Sequence, residues 1–200
     1  MDKKLLSVGV FSILAILLAA AVIYWFGKSP AFRGASYAEP FPAAPPIELT
    51  RADGSVFRLS DQRGRIVLLF FGYTSCPDVC PTTMAEMKQA MDRLGSSADA
   101  VRVVFVSVDP DRDTPERVQE YVSRFRSDFI GLTGTMDQLQ PIWDAYGVFR
   151  TVEQSTSAMG YIVNHTARIT LIDADGDLRL SYGFQTPVAD IVHDIKILLK

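Results

Sequence analysis

Apolar residues are unevenly distributed along the 200-residue chain, and the longest apolar stretch comes first. Residues 5–26 carry no charged side chain, and as a helix they would extend about 33 Å, enough to cross a hydrocarbon core of about 30 Å. Two lysines precede the stretch and one follows it, which favours a cytoplasmic N-terminus. A cleaved signal peptide is the alternative, although its apolar core is usually only about 7–15 residues long. We expect residues 1–28 to be a single-pass anchor in the inner (plasma) membrane, with the remaining chain on the periplasmic side.

Prolines separate this apolar segment from the rest of the chain. Five of them lie within residues 29–46. Because proline favours extended backbone and cannot donate a hydrogen bond, this composition is typical of a semi-rigid tether. We expect a tether over residues 29–46 and a folded domain over residues 47–200.

From residue 47 onward, strand-like and helical patterns alternate. Strands are predicted by short apolar or alternating runs at residues 47–49, 56–59, 66–71, 101–108, 167–172 and 178–182. Helices are predicted by apolar residues three and four positions apart at residues 81–94, 136–146 and 188–199, and after the Thr114–Pro115 cap. This order predicts an α/β, thioredoxin-like fold with an extra N-terminal β-hairpin and a mid-chain insertion, preceded by one transmembrane helix.

Charge and composition exclude several classes of function for the predicted domain. The first 28 residues contain three of the 20 basic residues and one of the 23 acidic residues, so the remainder has a net charge of −5. An acidic domain without a basic run is not expected to bind nucleic acid. Two cysteines are too few for a disulfide scaffold, and two histidines are too few for a multi-histidine metal centre.

Both cysteines lie in one loop, directly after a predicted buried strand and before a predicted helix. Three residues separate Cys76 from Cys80 in a C-x3-C arrangement, one residue more than in C-x2-C dithiol oxidoreductases. The helix start would lower the pKa of a nearby thiol, because its unpaired N–H groups and dipole stabilise a thiolate. Three interpretations stay open: a structural disulfide, a redox dithiol pair and a metal site.

A metal site requires at least one further ligand, for which His165 is the main candidate. His165 directly precedes the strand predicted at residues 167–172, at the same end of the sheet as the cysteine loop. The alternative is a hydrogen-bonded histidine at a strand end. His193 lies within the last predicted helix and is expected to have no site role. Two thiolates and one imidazole suit Cu(I) or Cu(II), whereas zinc would require a fourth ligand or an open catalytic position.

Other side chains could surround or complete such a site. Asp109, at the end of the second buried strand, is expected to face the cysteines. Asp78, between the cysteines, is either a solvated loop acid or a modulator of the metal's charge. Methionine thioethers are also copper ligands, and the role of Met159 stays open. Helical spacing predicts that three other methionines belong to the core: Met84, Met87 and Met91.

Three motifs, in this order, resemble the Sco/SenC family. They are Gly-Tyr-Thr-Ser-Cys-Pro-Asp-Val-Cys-Pro-Thr-Thr, Val-Ser-Val-Asp-Pro-Asp-Arg-Asp-Thr-Pro, and Tyr-x-Val-x-His-Thr around His165. The resemblance covers residues 47–200 and includes the preceding membrane anchor. It implies one copper ion, Cu(I) or Cu(II), bound by Cys76, Cys80 and His165. Asn164 is a departure, because relatives commonly have aspartate there, and it could alter the orientation or basicity of the histidine.

The resemblance also implies a metallochaperone rather than an enzyme. Its client would be the binuclear copper site of cytochrome c oxidase subunit II, which it would supply with copper, keep reduced at its cysteines, or both. An upstream copper donor and a thioredoxin-like reductant are further implied partners. The alternative function is an extracytoplasmic thiol–disulfide oxidoreductase that uses Cys76 and Cys80 without metal.

Overall fold

The computed structural model describes residues 31–155 and 160–200, together with residues 13, 15–18 and 20. It contains two compact units, Met1–Ala31 and Phe32–Lys200. The predicted anchor over residues 1–28 falls largely outside the described residues. Within the part of the chain that is described, no helix combines the length and the apolar character needed to span a bilayer.

The second unit is built around a mixed β-sheet. The described residues form ten strands: β1 Ala35–Ser36, β2 Glu48–Thr50, β3 Val56–Arg58, β4 Ile66–Gly72, β5 Val101–Ser107, β6 Ile130–Leu132, β7 Arg150–Gln154, β8 Tyr161–His165, β9 Arg168–Ile172 and β10 Leu178–Gly183. Six of these form one sheet in the order β1-β10-β9-β4-β5-β6. The other four form the separate hairpins β2–β3 and β7–β8.

Parallel pairing at the centre of the sheet places two loops at the same end of the sheet. Strand β4 pairs in parallel with β5, from Ile66 opposite Val101 to Gly72 opposite Ser107, and β5 pairs in parallel with β6. All seven residues of β4 are buried, as its continuous apolar run predicts for a strand covered on both faces. Because parallel strands point the same way, the loops that follow β4 and β5 lie side by side.

In the described part of the second unit, four α-helices alternate with the strands: α1 Val79–Leu94, α2 Pro115–Ser123, α3 Met136–Ala145 and α4 Val188–Leu198. Helix α2 begins as predicted, because the Thr114 side chain accepts a hydrogen bond from the Arg117 amide and proline occupies the first turn. Helix α1 begins two residues earlier than predicted, which places Cys80 in its first turn. Its three methionines are buried and belong to the core, as predicted: Met84, Met87 and Met91.

The segment predicted as a tether over residues 29–46 is instead part of the folded unit from residue 32 onward. Strand β1 lies at the edge of the main sheet and pairs antiparallel with β10. The buried Asp194 carboxylate on α4 accepts hydrogen bonds from the amides of Arg33 and Gly34. Further along, the Leu178 amide donates to the Pro42 carbonyl over 2.9 Å. At the same edge of the sheet, the amides of Tyr37 and Ala44 donate to the carbonyls of Arg179 and Gly176.

A mid-chain insertion was predicted without bounds, and the β7–β8 hairpin lies in this part of the chain, between α3 and β9. It lies outside the six-stranded sheet, and four of the five residues of β7 are exposed. Register pairs Arg150 with His165 and Gln154 with Tyr161. His165 is therefore the last residue of a hairpin strand rather than part of a loop before β9.

Candidate metal centre

The cysteine loop connects β4 to α1, and its two thiols occupy different environments. Cys80 is fully buried, whereas Cys76 is half-buried, and both are free cysteines. The Cys80 amide donates a hydrogen bond to Cys76 Sγ over 3.4 Å. Because the first amides of a helix have no intrahelical partner, the Cys76 sulfur satisfies one donor that a conventional N-cap side chain would take. Asp78, at the N-cap position, makes no such side-chain bond.

Hydrogen bonding and burial shift the pKa values of the two thiols in opposite directions. The Cys80 thiol donates to Cys76 and lowers the pKa of Cys76 to about 6, with further contributions from the amides of Cys80 and Asp78. The same hydrogen bond, together with burial, raises the pKa of Cys80 well above its ordinary value. At neutral pH, Cys76 is therefore the thiolate and Cys80 is the thiol that stabilises it.

His165 reaches the cysteines from the end of β8. Its Nε2 atom lies 3.7 Å from Cys80 Sγ, and its Nδ1 atom lies 3.1 Å from the Thr166 carbonyl oxygen. Since a carbonyl oxygen only accepts hydrogen bonds, Nδ1 carries the proton and Nε2 presents its lone pair to the cysteines. Burial lowers the pKa of His165, which keeps the imidazole neutral at neutral pH. A neutral imidazole with a hydrogen-bonded Nδ1 is the form that binds metals.

The donor set fits a soft metal ion. Two thiolates and one imidazole, from Cys76, Cys80 and His165, suit copper better than they suit hard cations such as Mg²⁺ or Ca²⁺. A cavity of about 220 Å³ borders Cys76 and His165. Its lining is largely apolar, with Tyr73, Cys76, Pro77, Asp78, Val79, Ile162, Val163, Asn164, His165 and Ala167. The structure places Cys80 between the other two donors, with its sulfur near His165 and its amide bonded to the Cys76 sulfur. That all three bind one metal ion stays a prediction.

Asp109 does not have the neighbours that the sequence led us to expect. It is fully buried, and its carboxylate accepts hydrogen bonds from Arg112 Nε at 2.5 Å and from the Tyr161 hydroxyl at 2.8 Å. We expected Asp109 to face the cysteines, and the structure corrects this: its carboxylate faces the start of β8. The reason is that a buried carboxylate requires charged and hydroxyl donors, which a thiolate cannot supply.

Asp113, which the sequence analysis did not single out, is the carboxylate that contacts the cysteine loop. It accepts hydrogen bonds from the Thr74 amide at 3.1 Å and the Thr74 hydroxyl at 2.6 Å. The Ser107 hydroxyl donates to the same carboxylate over 2.6 Å. Asp113 therefore ties the loop that carries Cys76 to the end of β5. The hydroxyl residues beside both strand ends were the signal that could have identified it.

Asp78 and Asn164 lie at the rim of the site. Asp78 is exposed, and its carboxylate lies 3.5 Å from the Thr82 hydroxyl, consistent with a solvated loop acid. Asn164 is exposed and donates to Glu153 across the hairpin over 3.1 Å, because alternation along β8 directs it away from the face of His165. The orientation of His165 depends on Thr166 rather than on this position.

His193 and Met159 were the other two residues considered from the sequence. His193 lies on α4 with its Nδ1 atom 2.8 Å from the buried Asp194 carboxylate, so it is a hydrogen-bonded helix residue, as predicted. Met159 lies outside the described residues.

Comparison with known proteins gives consistent matches over this unit. The SCO1/SenC family model matches residues 35–200. A protein from Stutzerimonas stutzeri is 38% identical over 138 residues, which are 68% of this chain and 67% of that relative. Copper-bound ScoI of Bradyrhizobium japonicum is 33% identical, with a TM-score of 0.71 over 78% of this chain and 99% of that chain. Apo Sco1 from Thermus thermophilus is 36% identical, with a TM-score of 0.74 over 84% and 97% of the two chains. These similarities confirm the predicted thioredoxin-like, mixed α/β fold.

Proposed function

Because the chain belongs to the SCO1/SenC family, we propose that it binds one copper ion through Cys76, Cys80 and His165. Its client would be the binuclear copper site of cytochrome c oxidase subunit II. The observation that carries the proposal is the separation of 3.7 Å between Cys80 Sγ and His165 Nε2, with the Cys76 sulfur on the same helix start. The copper-bound ScoI of Bradyrhizobium japonicum supports the choice of metal.

The two thiols have different parts in loading the metal. Cys76 is the thiolate at neutral pH and is the first sulfur available to an incoming ion. Cys80 holds its proton, which must leave when the second sulfur binds, so loading releases a proton. Two thiolates suffice for Cu(I), and the neutral His165 imidazole adds the nitrogen ligand that Cu(II) favours. The cavity beside Cys76 leaves room for a client thiol to exchange for a ligand of this chain.

The same pair supports a reductase step on the client. The Cys76 thiolate would attack a disulfide of subunit II, forming a mixed disulfide and releasing one client thiolate. Cys80, after losing its proton, would attack the Cys76 sulfur and release the second client thiolate. The client gains two electrons and this chain is left with a Cys76–Cys80 disulfide. A thioredoxin-like reductant is then needed to restore both thiols.

The location of the protein forms part of the proposal. Residues 1–28 would anchor it in the plasma membrane with the copper-binding unit on the periplasmic side, where an upstream donor would supply copper. The uncharged stretch over residues 5–26 and the preceding lysines support this arrangement. Resistance of the full-length chain to alkaline extraction from membranes, with protease access only from the periplasmic side, would test it. Release into the soluble fraction as a shortened chain would instead indicate a cleaved signal peptide.

Copper stoichiometry and spectra test the metal site directly. The reduced protein is dialysed without oxygen against limiting copper, and the metal is counted by elemental analysis. We expect one copper per chain and, for the Cu(II) form, a thiolate-to-copper absorption band that changes in His165→Ala. His193→Ala is the matched control, because His193 is bonded to Asp194 away from the centre, and it should leave the band unchanged.

The second candidate function is thiol–disulfide exchange without metal. It is favoured by the low pKa of Cys76, about 6, which is typical of reactive dithiol pairs. Failure to retain copper, combined with rapid reduction and reoxidation of the Cys76–Cys80 pair, would establish this function instead.

A further inference from the structure

The histidine and the cysteines of the candidate metal centre belong to different parts of the fold. Cys76 and Cys80 lie between β4 and α1, within the main sheet and its helices, whereas His165 ends the β7–β8 hairpin outside that sheet. The distance between Cys80 and His165 therefore depends on how the hairpin is attached to the sheet.

Tyr161, the first residue of β8, attaches the hairpin to the turn after β5 through several groups. Its hydroxyl donates to Asp109 over 2.8 Å, and its carbonyl accepts a hydrogen bond from Arg112 Nη1 over 3.0 Å. The Arg112 guanidinium lies 3.6 Å from the centroid of the Tyr161 ring, a cation–π contact. The hydroxyl, the ring and the backbone of one hairpin residue are thus all held by the turn after β5.

The turn is itself rigid at this point. Asp109 is fully buried and pairs with Arg112 Nε, whose side chain is only 19% exposed. A buried carboxylate requires its hydrogen bonds, so moving Tyr161 away would leave Asp109 with fewer donors than it needs. Separation of Tyr161 from this turn is therefore energetically unfavourable.

Strand β8 connects Tyr161, which is bound to the turn, with His165 in the candidate metal centre. From Tyr161 to His165 the strand covers four residue steps, on the order of 13 Å. Val163, in the middle, is buried, and its amide donates to the Tyr73 hydroxyl over 3.4 Å. A strand fixed at its first residue and at its centre has little freedom at its last residue, where the imidazole is attached.

We propose that Asp109, Arg112 and Tyr161 form a clasp that positions His165 against Cys80 and selectively prolongs the retention of Cu(II). The clasp residues are positioning residues, because they act on the imidazole through β8. Cu(I) is held by the two thiolates and depends little on the clasp, whereas Cu(II) requires the imidazole. This inference rests on the proposed copper-binding function.

Tyr161→Phe is the sharpest test, since it removes the hydroxyl bond to Asp109 and keeps the ring and the backbone. Tyr146→Phe is its matched control, because the Tyr146 hydroxyl donates to the Pro45 carbonyl over 2.7 Å away from the metal centre. Arg112→Lys removes the planar guanidinium while keeping the charge. All variants are made in the full-length chain, solubilised in detergent.

Copper dissociation is measured with a chelator by following the thiolate-to-Cu(II) absorption band, and Cu(I) affinity by competition with a coloured Cu(I) chelator. We expect Cu(II) to dissociate about 10-fold faster from Tyr161→Phe and faster still from Arg112→Lys, a size typical of residues that orient metal ligands. Cu(I) affinity should stay unchanged, and Tyr146→Phe should match the wild type. Unchanged Cu(II) dissociation in both clasp variants, or equal weakening of Cu(I) and Cu(II), would overturn the clasp.

Amide hydrogen exchange of the metal-free protein provides a readout that needs no copper. The Val163 amide should exchange faster in Tyr161→Phe than in the wild type or Tyr146→Phe, while the amides of α1 stay protected. If the wild type holds no copper, the proposed function fails and the exchange rates still decide whether the clasp exists. If the wild type binds copper and the clasp variants match it in every measurement, the clasp fails and the proposed function stands.

Discussion

Nε2 of His165 lies 3.7 Å from Sγ of Cys80, although 85 positions separate the two residues in the chain. The metal-free protein therefore already holds the imidazole nitrogen in contact with the Cys80 sulfur. The same approach means that an entering ion finds a sulfur and a nitrogen donor already adjacent. Little reorganisation of the histidine is then needed when the ion binds, because folding has already ordered the site.

Replacement of either cysteine should abolish tight copper binding. In Cys76→Ser the ion loses the thiolate that is present at neutral pH, and in Cys80→Ser it loses the sulfur nearest the imidazole. Hydroxyl oxygen is a poor ligand for Cu(I), so both variants should retain less than about a tenth of the copper bound by the wild type in competition with a chelator. Full affinity in Cys76→Ser would show that the metal is held elsewhere.

The alkylation rate of Cys76 should report its lowered pKa. With a pKa of about 6, the thiol is ionised at pH 7, and the rate of reaction with iodoacetamide should fall as pH drops through about 6. In Cys80→Ala the largest stabilising hydrogen bond is lost, so the midpoint should move upward. The unfolded protein is the reference, with an expected midpoint of about 8.5. A midpoint near that value in the folded wild type would contradict the hydrogen-bonded arrangement.

The sequence was sufficient for four of the six strands of the main sheet, β4, β5, β9 and β10, and for the end of the sheet at which the cysteine loop lies. The continuous apolar run of β4, the cap at Thr114 and the C-x3-C loop are local signals, and each appears where it was predicted. The β-α-β order then required the loop after β4 to lie at one end of the sheet, which is why the cysteines and His165 could be associated before any geometry was known.

Contacts that depend on tertiary pairing were not predictable in the same way. Strand β1 has two residues, and its pairing with β10 depends on a sheet edge that the local pattern does not show. The exposed residues of β7 lack the apolar alternation of a half-buried strand. The prediction for Asp109 was wrong and Asp113 was not predicted at all, since both acids follow β5 and only the fold decides which one faces the cysteine loop.

Loss of the Asp113 carboxylate should destabilise the metal-free fold. Asp113→Ala leaves the Thr74 amide, the Thr74 hydroxyl and the Ser107 hydroxyl without their acceptor. The free energy of unfolding, measured with urea, should fall by about 3 kcal/mol, and by less in Asp113→Asn, whose amide oxygen still accepts. Asp92→Asn is the control, because Asp92 is a surface residue in ion pairs with Lys88 and Arg126, and its urea midpoint should match the wild type. Equal midpoints for Asp113→Ala and the control would exclude a supporting role for this carboxylate.

Loss of the Asp194 carboxylate should release the first residues of the folded unit. The buried carboxylate accepts hydrogen bonds from the Arg33 and Gly34 amides and from the Tyr182 hydroxyl over 2.8–3.2 Å. In Asp194→Ala these donors lose their partner, and β1 should separate more readily from β10, exposing the backbone at Arg33 to trypsin.

The matched control for this experiment is Asp190→Ala. It removes only the half-exposed ion pair between Asp190 and the Arg33 guanidinium, whose contribution to stability is small. Cleavage after Arg33, followed by mass spectrometry under native conditions, should be at least about 10-fold faster in Asp194→Ala than in Asp190→Ala, corresponding to a local opening made easier by roughly 1.4 kcal/mol. Equal cleavage rates in the two variants would show that β1 and the prolines hold this segment without Asp194. In that case the sheet-edge pairing of Ala35 and Ser36 would be the dominant restraint on the start of the domain.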